Sequence, residues 1–150
     1  MSGDSDLIKL YSGRILELAA DIPHLGHLEA PCARARKRSP LCGSTVTVEL
    51  CLKDGRISEF AQDVKACALG QAAASVVGAN VIGCGRAQVA RARDQLESML
   101  KAGGPAPEAP FEELEVLMPA RDFRNRHASI LLSLEATLAA LDEAENTACA

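Results

Sequence analysis

Cys42 and Cys67 stand 25 positions apart on either side of an alternating, strand-like segment, and His127 lies far downstream in Arg124-Asn125-Arg126-His127. Thiolate and imidazole are donors that suit zinc and iron-sulfur centres. A single accessible thiol of low pKa suits nucleophilic sulfur chemistry instead. The remaining cysteines are Cys32, Cys51, Cys84 and Cys149. The opening stretch from Met1 to Leu10 carries Asp4 and Asp6 where an export signal would be basic, so a cytoplasmic location is expected. In that reducing compartment a disulfide framework is not expected, and the thiols read as core fillers, metal ligands or reactive groups.

The elements around these residues follow from periodicity. Leu7, Ile8, Tyr11, Ile15, Leu18 and Ala19 recur at helical spacing and predict a first amphipathic helix ending near Pro23. Pro23 to Pro40, with the basic run Arg34, Arg36, Lys37 and Arg38, reads as an irregular connection with room for a short strand. From Thr45 to Leu52 the residues Val46, Val48 and Leu50 alternate with Thr47 and Glu49. Lys53-Asp54-Gly55-Arg56 is then a turn, and Ile57 to Val64 the returning strand. An Ala-rich helix from Ala68 to Val77, broken at Gly78, precedes a helix from Arg86 to Lys101. Gly103 to Pro110 is a proline-rich loop, Phe111 to Leu117 a short helix, and Asp122 to Glu143 a last helix, with fraying expected from about residue 144. The whole is one α+β domain, a small antiparallel sheet containing a central hairpin with helices packed on one face.

A hairpin brings the outer ends of its strands together, so Cys42 and Cys67, which flank it, can meet. The helix that follows Cys67 offers unpaired backbone N–H groups and the positive end of its dipole, which favour a thiolate. The 150 residues fit one domain. With 20 acids against 16 bases, a net charge of −4 argues against a nucleic-acid protein. No apolar run reaches the roughly 18 residues of a membrane span. Aromatics are sparse, so the core must be aliphatic.

Ser39-Pro40-Leu41-Cys42-Gly43-Ser44, the hairpin, and then Lys65-Ala66-Cys67-Ala68-Leu69-Gly70-Gln71 together resemble the U-type iron-sulfur cluster assembly scaffolds typified by IscU, SufU and the N-terminal part of NifU. Leu10-Tyr11-Ser12 through Leu18 resembles that family's opening helix, and Arg126-His127-Ala128-Ser129-Ile130-Leu131 its R/K-H-C-S-x-L segment. The resemblance implies a scaffold or carrier, not an enzyme of turnover chemistry. Such a protein takes sulfur from a cysteine desulfurase, assembles a 2Fe-2S cluster and passes it to apo-protein clients, and it binds zinc in the same place. By resemblance Cys42 and Cys67 are the first two ligands and His127 the nearby histidine. Ser44 stands where the family has aspartate and Ala128 where it has its third cysteine, so weak retention of cluster or zinc is expected. A second chain in a homodimer, glutathione or water, or another cysteine are the open sources of further donors. Cys84 is either that thiol or part of a helix-helix turn.

The resemblance leaves two other roles open: a sulfurtransferase-type persulfide relay through Cys42 or Cys67, and a degenerate, non-cluster-binding interaction module. Leu117-Met118-Pro119-Ala120-Arg121 replaces the family's L-P-P-V-K chaperone motif. Cys51 is expected beneath a helix or loop, and Cys32 and Cys149 have no partner motif. The basic run from Arg34 to Arg38 is either a surface for an acidic partner or a solvated loop.

Overall fold

The computed structural model describes residues 12–40 and 43–149. They form α1 (Gly13–Ala20), β1 (Ala33–Arg38), β2 (Thr45–Lys53), β3 (Arg56–Lys65), α2 (Ala68–Asn80), α3 (Arg86–Lys101), a 3-10 helix (Glu112–Asp122) and α4 (Arg124–Cys149). The strands make one antiparallel sheet in the order β1-β2-β3. Helix α4 packs across β1 and β2, with α2 and α3 against it, and α1 rests on α2. This is the α+β arrangement anticipated from sequence.

Asp54 (φ 56°) and Gly55 (φ 77°) both take left-handed backbone, so they make the two-residue turn whose twist matches a hairpin and pairs Lys53 with Arg56. Val46, Val48 and Leu50 enter the core beneath the helices. The opposite face of β2 is not solvated, because the connection after α1 folds over it. There Leu28 N–H donates to Glu49 Oε1 at 2.8 Å, while His27 Nδ1 and Arg34 Nε lie 3.0 and 3.4 Å from Oε2. Burial pushes the Glu49 carboxyl upward, but these three donors outweigh it and hold the group below its ordinary value of 4.5. Gln62 pins the same connection from β3. Its Nε2 donates to the Pro23 and Ala74 carbonyls, and its backbone exchanges hydrogen bonds with His24 and Gly26.

Three expectations need correction. The basic run is the short strand for which the connection left room, not a solvated loop: Ala33 and Ala35 turn toward the core, and the charged residues between and after them face water, as an edge strand requires. Register Ala33↔Leu50 then sets Cys32 opposite Cys51, and the two are joined in a disulfide with Cα atoms 4.8 Å apart. Cys32 is therefore not an incidental thiol; its partner was hidden because the bounds of β1 were. Finally, Gly78 does not end α2, which runs to Asn80. A Cβ at Gly78 would come within 2.5 Å of Gln62 Nε2 and 3.1 Å of the Pro23 carbonyl, so its role is close approach rather than termination.

Bounds differ elsewhere. Helix α3 has the predicted limits, and α4 continues to Cys149. The short helix is a 3-10 segment that extends through Pro119 to Asp122. Leu7, Ile8 and Tyr11 of the predicted first helix lie outside the described residues.

Candidate functional site

The hairpin's open end is fixed by the pair Thr45↔Lys65. Two residues beyond Lys65, Cys67 is the N-cap of α2, with extended backbone (φ −67°, ψ 169°) and a carbonyl that accepts from Gln71 N–H at 2.9 Å. Its side chain is half-buried. Sγ lies 3.5 Å from Ser129 Oγ, and Ser129 Oγ lies 3.0 Å from Ser44 Oγ. Ser44 and Ser129 are both buried. A thiol and two hydroxyls thus converge from β3–α2, α4 and the start of β2.

Gly70 permits this convergence. A Cβ there would lie 2.5 Å from Ser129 Oγ and 3.1 Å from the Ser129 carbonyl, so only glycine lets α2 approach α4 this closely beside Cys67. On the β2 side, Ser39 N–H donates to the Ser44 carbonyl and Gly43 N–H to the Ser39 carbonyl, closing the β1–β2 connection. Gly43 has φ 71°, and Arg38 brings a guanidinium nitrogen within 3.9 Å of where its Cβ would be. Arg38 and Lys65 give this rim positive charge. Cys42 itself lies outside the described residues.

His127 is placed differently. It is buried, and its Nε2 donates to the Ala120 carbonyl at 2.9 Å. Two positions along α4 separate it from Ser129, about 200° around the helix axis. No described contact joins it to Cys67. Ala128 is half-buried and offers no donor. Cys84 is at the far end of the sheet: Ile57, the start of the returning strand, donates N–H to the Cys84 carbonyl at 2.9 Å. From Ile57 to Lys65 the strand spans about 26 Å, too far for Cys84 to share a site with Cys67. Among the described residues, no group of three or more His, Cys, Asp or Glu side chains is arranged to hold a metal ion. Sequence reasoning missed Ser129. The signal available was its hydroxyl two positions after His127, on the side of α4 that meets the Gly70 turn.

No protein-family model matches the chain. No curated protein matches it either. Solved structures do. The chain is 45% identical to a nitrogen-fixing NifU-like protein (N-terminal) from Brucella abortus, covering 94% of this chain and 98% of that one at a TM-score of 0.91. A candidate iron-sulfur cluster assembly scaffold for the SUF system from Fervidobacterium islandicum is 19% identical at a TM-score of 0.80, covering 89% and 98% of the two chains. The latter likeness is one of fold. An α+β domain with a cysteine capping the helix after a central hairpin is the class that fold and site define. At 45% identity over nearly its whole length, the chain belongs to the NifU-like N-terminal family of U-type scaffolds.

Proposed function

We propose that this protein is an iron-sulfur cluster assembly scaffold or carrier, with Cys42 and Cys67 as the thiolates that receive iron and sulfide for transfer to apo-proteins. The observation that carries the reading is the position of Cys67, which caps α2 at the open end of the hairpin within 3.5 Å of Ser129 Oγ. The cluster is cargo rather than a resident group. Neutral hydroxyls at Ser44 and Ser129 are weak ligands but good hydrogen-bond donors to sulfur, so this donor set fits short-lived holding better than a closed site. Remaining valences fall to a second chain or to small molecules. With Nε2–H held by the Ala120 carbonyl, Nδ1 is the ring nitrogen of His127 left to act as a ligand. A cysteine desulfurase is the sulfur source in this reading, and zinc would bind in competition with iron.

Anaerobic reconstitution with iron, desulfurase and cysteine should give visible absorption and bound sulfide. Both should be lost in Cys42→Ala and in Cys67→Ala, with His127→Ala separating a ligand role from packing. A colourless protein free of iron and sulfide overturns the proposal.

A second reading is favoured by the hydroxyl surroundings of Cys67. As a sulfur relay, its thiolate would attack the outer sulfur of a desulfurase persulfide, breaking the S–S bond and expelling the desulfurase thiolate. This needs one accessible thiol and no metal. A mass increase of one sulfur atom on Cys67 without bound iron would select it over the scaffold.

A further inference from the structure

A second recess lies on the other side of α4 from Ser129, and its chemistry is cationic. It encloses about 630 Å³. Lys101 from the end of α3, Arg121 from the end of the 3-10 helix and Arg124 from the start of α4 line it, against the single carboxylate of Asp122. Leu100 adds an apolar wall, and His127 closes it. The wall is held in place at its centre. The Ala120 carbonyl accepts from both Phe123 N–H and His127 Nε2, each at 2.9 Å, which ties the 3-10 helix to the first turn of α4.

Arginines elsewhere divide between those with a carboxylate partner and those, Arg36, Arg38, Arg56 and Arg126, with no ion pair among the described residues. Arg14, Arg34, Arg86, Arg91 and Arg93 each pair with a carboxylate. Arg121 and Arg124 take part in no ion pair among the described residues. Arg121 Nε is moreover buried without an acceptor. A guanidinium N–H with nothing to donate to is costly to bury, and it leaves the charge of Arg121 uncompensated beside the recess. A planar guanidinium matches the paired oxygens of a carboxylate or phosphate. The start of α4 adds the partial positive charge of a helix N-terminus.

We infer that this recess binds a small organic oxyanion, a phosphate ester or polycarboxylate, whose charged group meets Arg121 and Arg124 while its body lies along Leu100. The volume suits such a molecule and exceeds what a lone inorganic ion needs. Nothing in this inference depends on cluster assembly at Cys67.

Calorimetric titration of the full chain in low-chloride buffer tests it, with inorganic phosphate, phenyl phosphate and citrate as probes. Saturable binding of phenyl phosphate or citrate is expected, at least about tenfold tighter than inorganic phosphate. Arg121→Gln and Arg124→Gln should each weaken it by about tenfold or more, the loss expected for a charge-assisted pair, while Arg91→Gln, on a paired arginine, should leave it unchanged. Preference for phenyl phosphate marks a phosphate site and preference for citrate a carboxylate site, and either supports the assignment. Because Arg124 is exposed, Arg124→Gln decides the matter if Arg121→Gln fails to fold. No saturable binding at millimolar probe, or binding that Arg124→Gln leaves intact, overturns it.

Discussion

Cys67 and Cys84 occupy comparable places in the chain yet opposite environments. Each stands where the chain enters a helix: Cys67 is the N-cap of α2, and Cys84 precedes Gly85, the N-cap of α3. They lie at opposite ends of β3. At the open end Cys67 is half-buried and meets the Ser129 hydroxyl. At the turn end Cys84 is buried, its thiol 3.5 Å from the Asn80 carbonyl, and its backbone is sewn to Ile57 through the Ile57 N–H and the neighbouring Gly83 N–H. Burial pushes the Cys84 thiol up, offset in part by Arg56. A helix entrance is therefore not enough to prepare a thiol for chemistry. Access and the neighbouring polar atoms decide.

The largest expected consequence is in reactivity. In the folded protein iodoacetamide should alkylate Cys67 at least about 100-fold faster than Cys84, because Cys84 reacts only when the turn end opens. Peptide mapping by mass spectrometry separates the two sites, and both should label at similar rates in urea. Equal labelling in the folded state would erase the distinction.

How far sequence anticipated this contrast depended on whether a residue's partners were local. The turn at Asp54-Gly55 and the helix from Arg86 to Lys101 were legible because glycine chemistry and a single apolar stripe determine them. Strand β1 was half hidden by its charges, although Ala33-Arg34-Ala35-Arg36 already alternates with period two. Room for a strand was seen there but not its bounds, and without them the Cys32–Cys51 pairing could not be seen, since that link follows from register. Cover over the face of Cys51 was anticipated, but not the contacts that hold Glu49 there, because the segment that makes them has no periodicity of its own. At the site, Cys67 was legible from its place between strand and helix. Ser129 was not, because its meeting with Cys67 depends on how closely Gly70 lets two helices approach.

That close approach gives the next test. Gly70→Ala should destabilise the fold by roughly 2 kcal/mol, the cost of forcing a methyl into a packed contact, and should displace Ser129 from Cys67. At the turn end, a Cβ on Gly85 would sit 3.4 Å from the Gly55 carbonyl, an ordinary contact. Gly85→Ala should therefore cost only about 0.5 kcal/mol, the difference between glycine and alanine as an N-cap. Urea unfolding of the two variants measures the gap. If it closes, the two ends of the sheet are packed alike and the contrast fails on structural grounds.

The smallest effect concerns protons at the turn end. Because burial raises the Cys84 thiol above its ordinary value of 9.0, the folded protein keeps that proton to higher pH than the unfolded chain does. The stability linked to it is fully present below pH 9.0 and is lost as pH rises through the folded value. One proton contributes at most about 1.4 kcal/mol per pH unit over that interval. The informative quantity is the difference between the parent and Cys84→Ala, in which every contribution common to both cancels. The parent's advantage in unfolding free energy, from urea titrations, should hold steady from about pH 7 to 8.5 and shrink by up to about 1 kcal/mol by about pH 10. An advantage that stays constant over that whole range would mean that the Cys84 thiol ionises as readily folded as unfolded. The turn-end cysteine would then be as open to solvent chemistry as the one at the site.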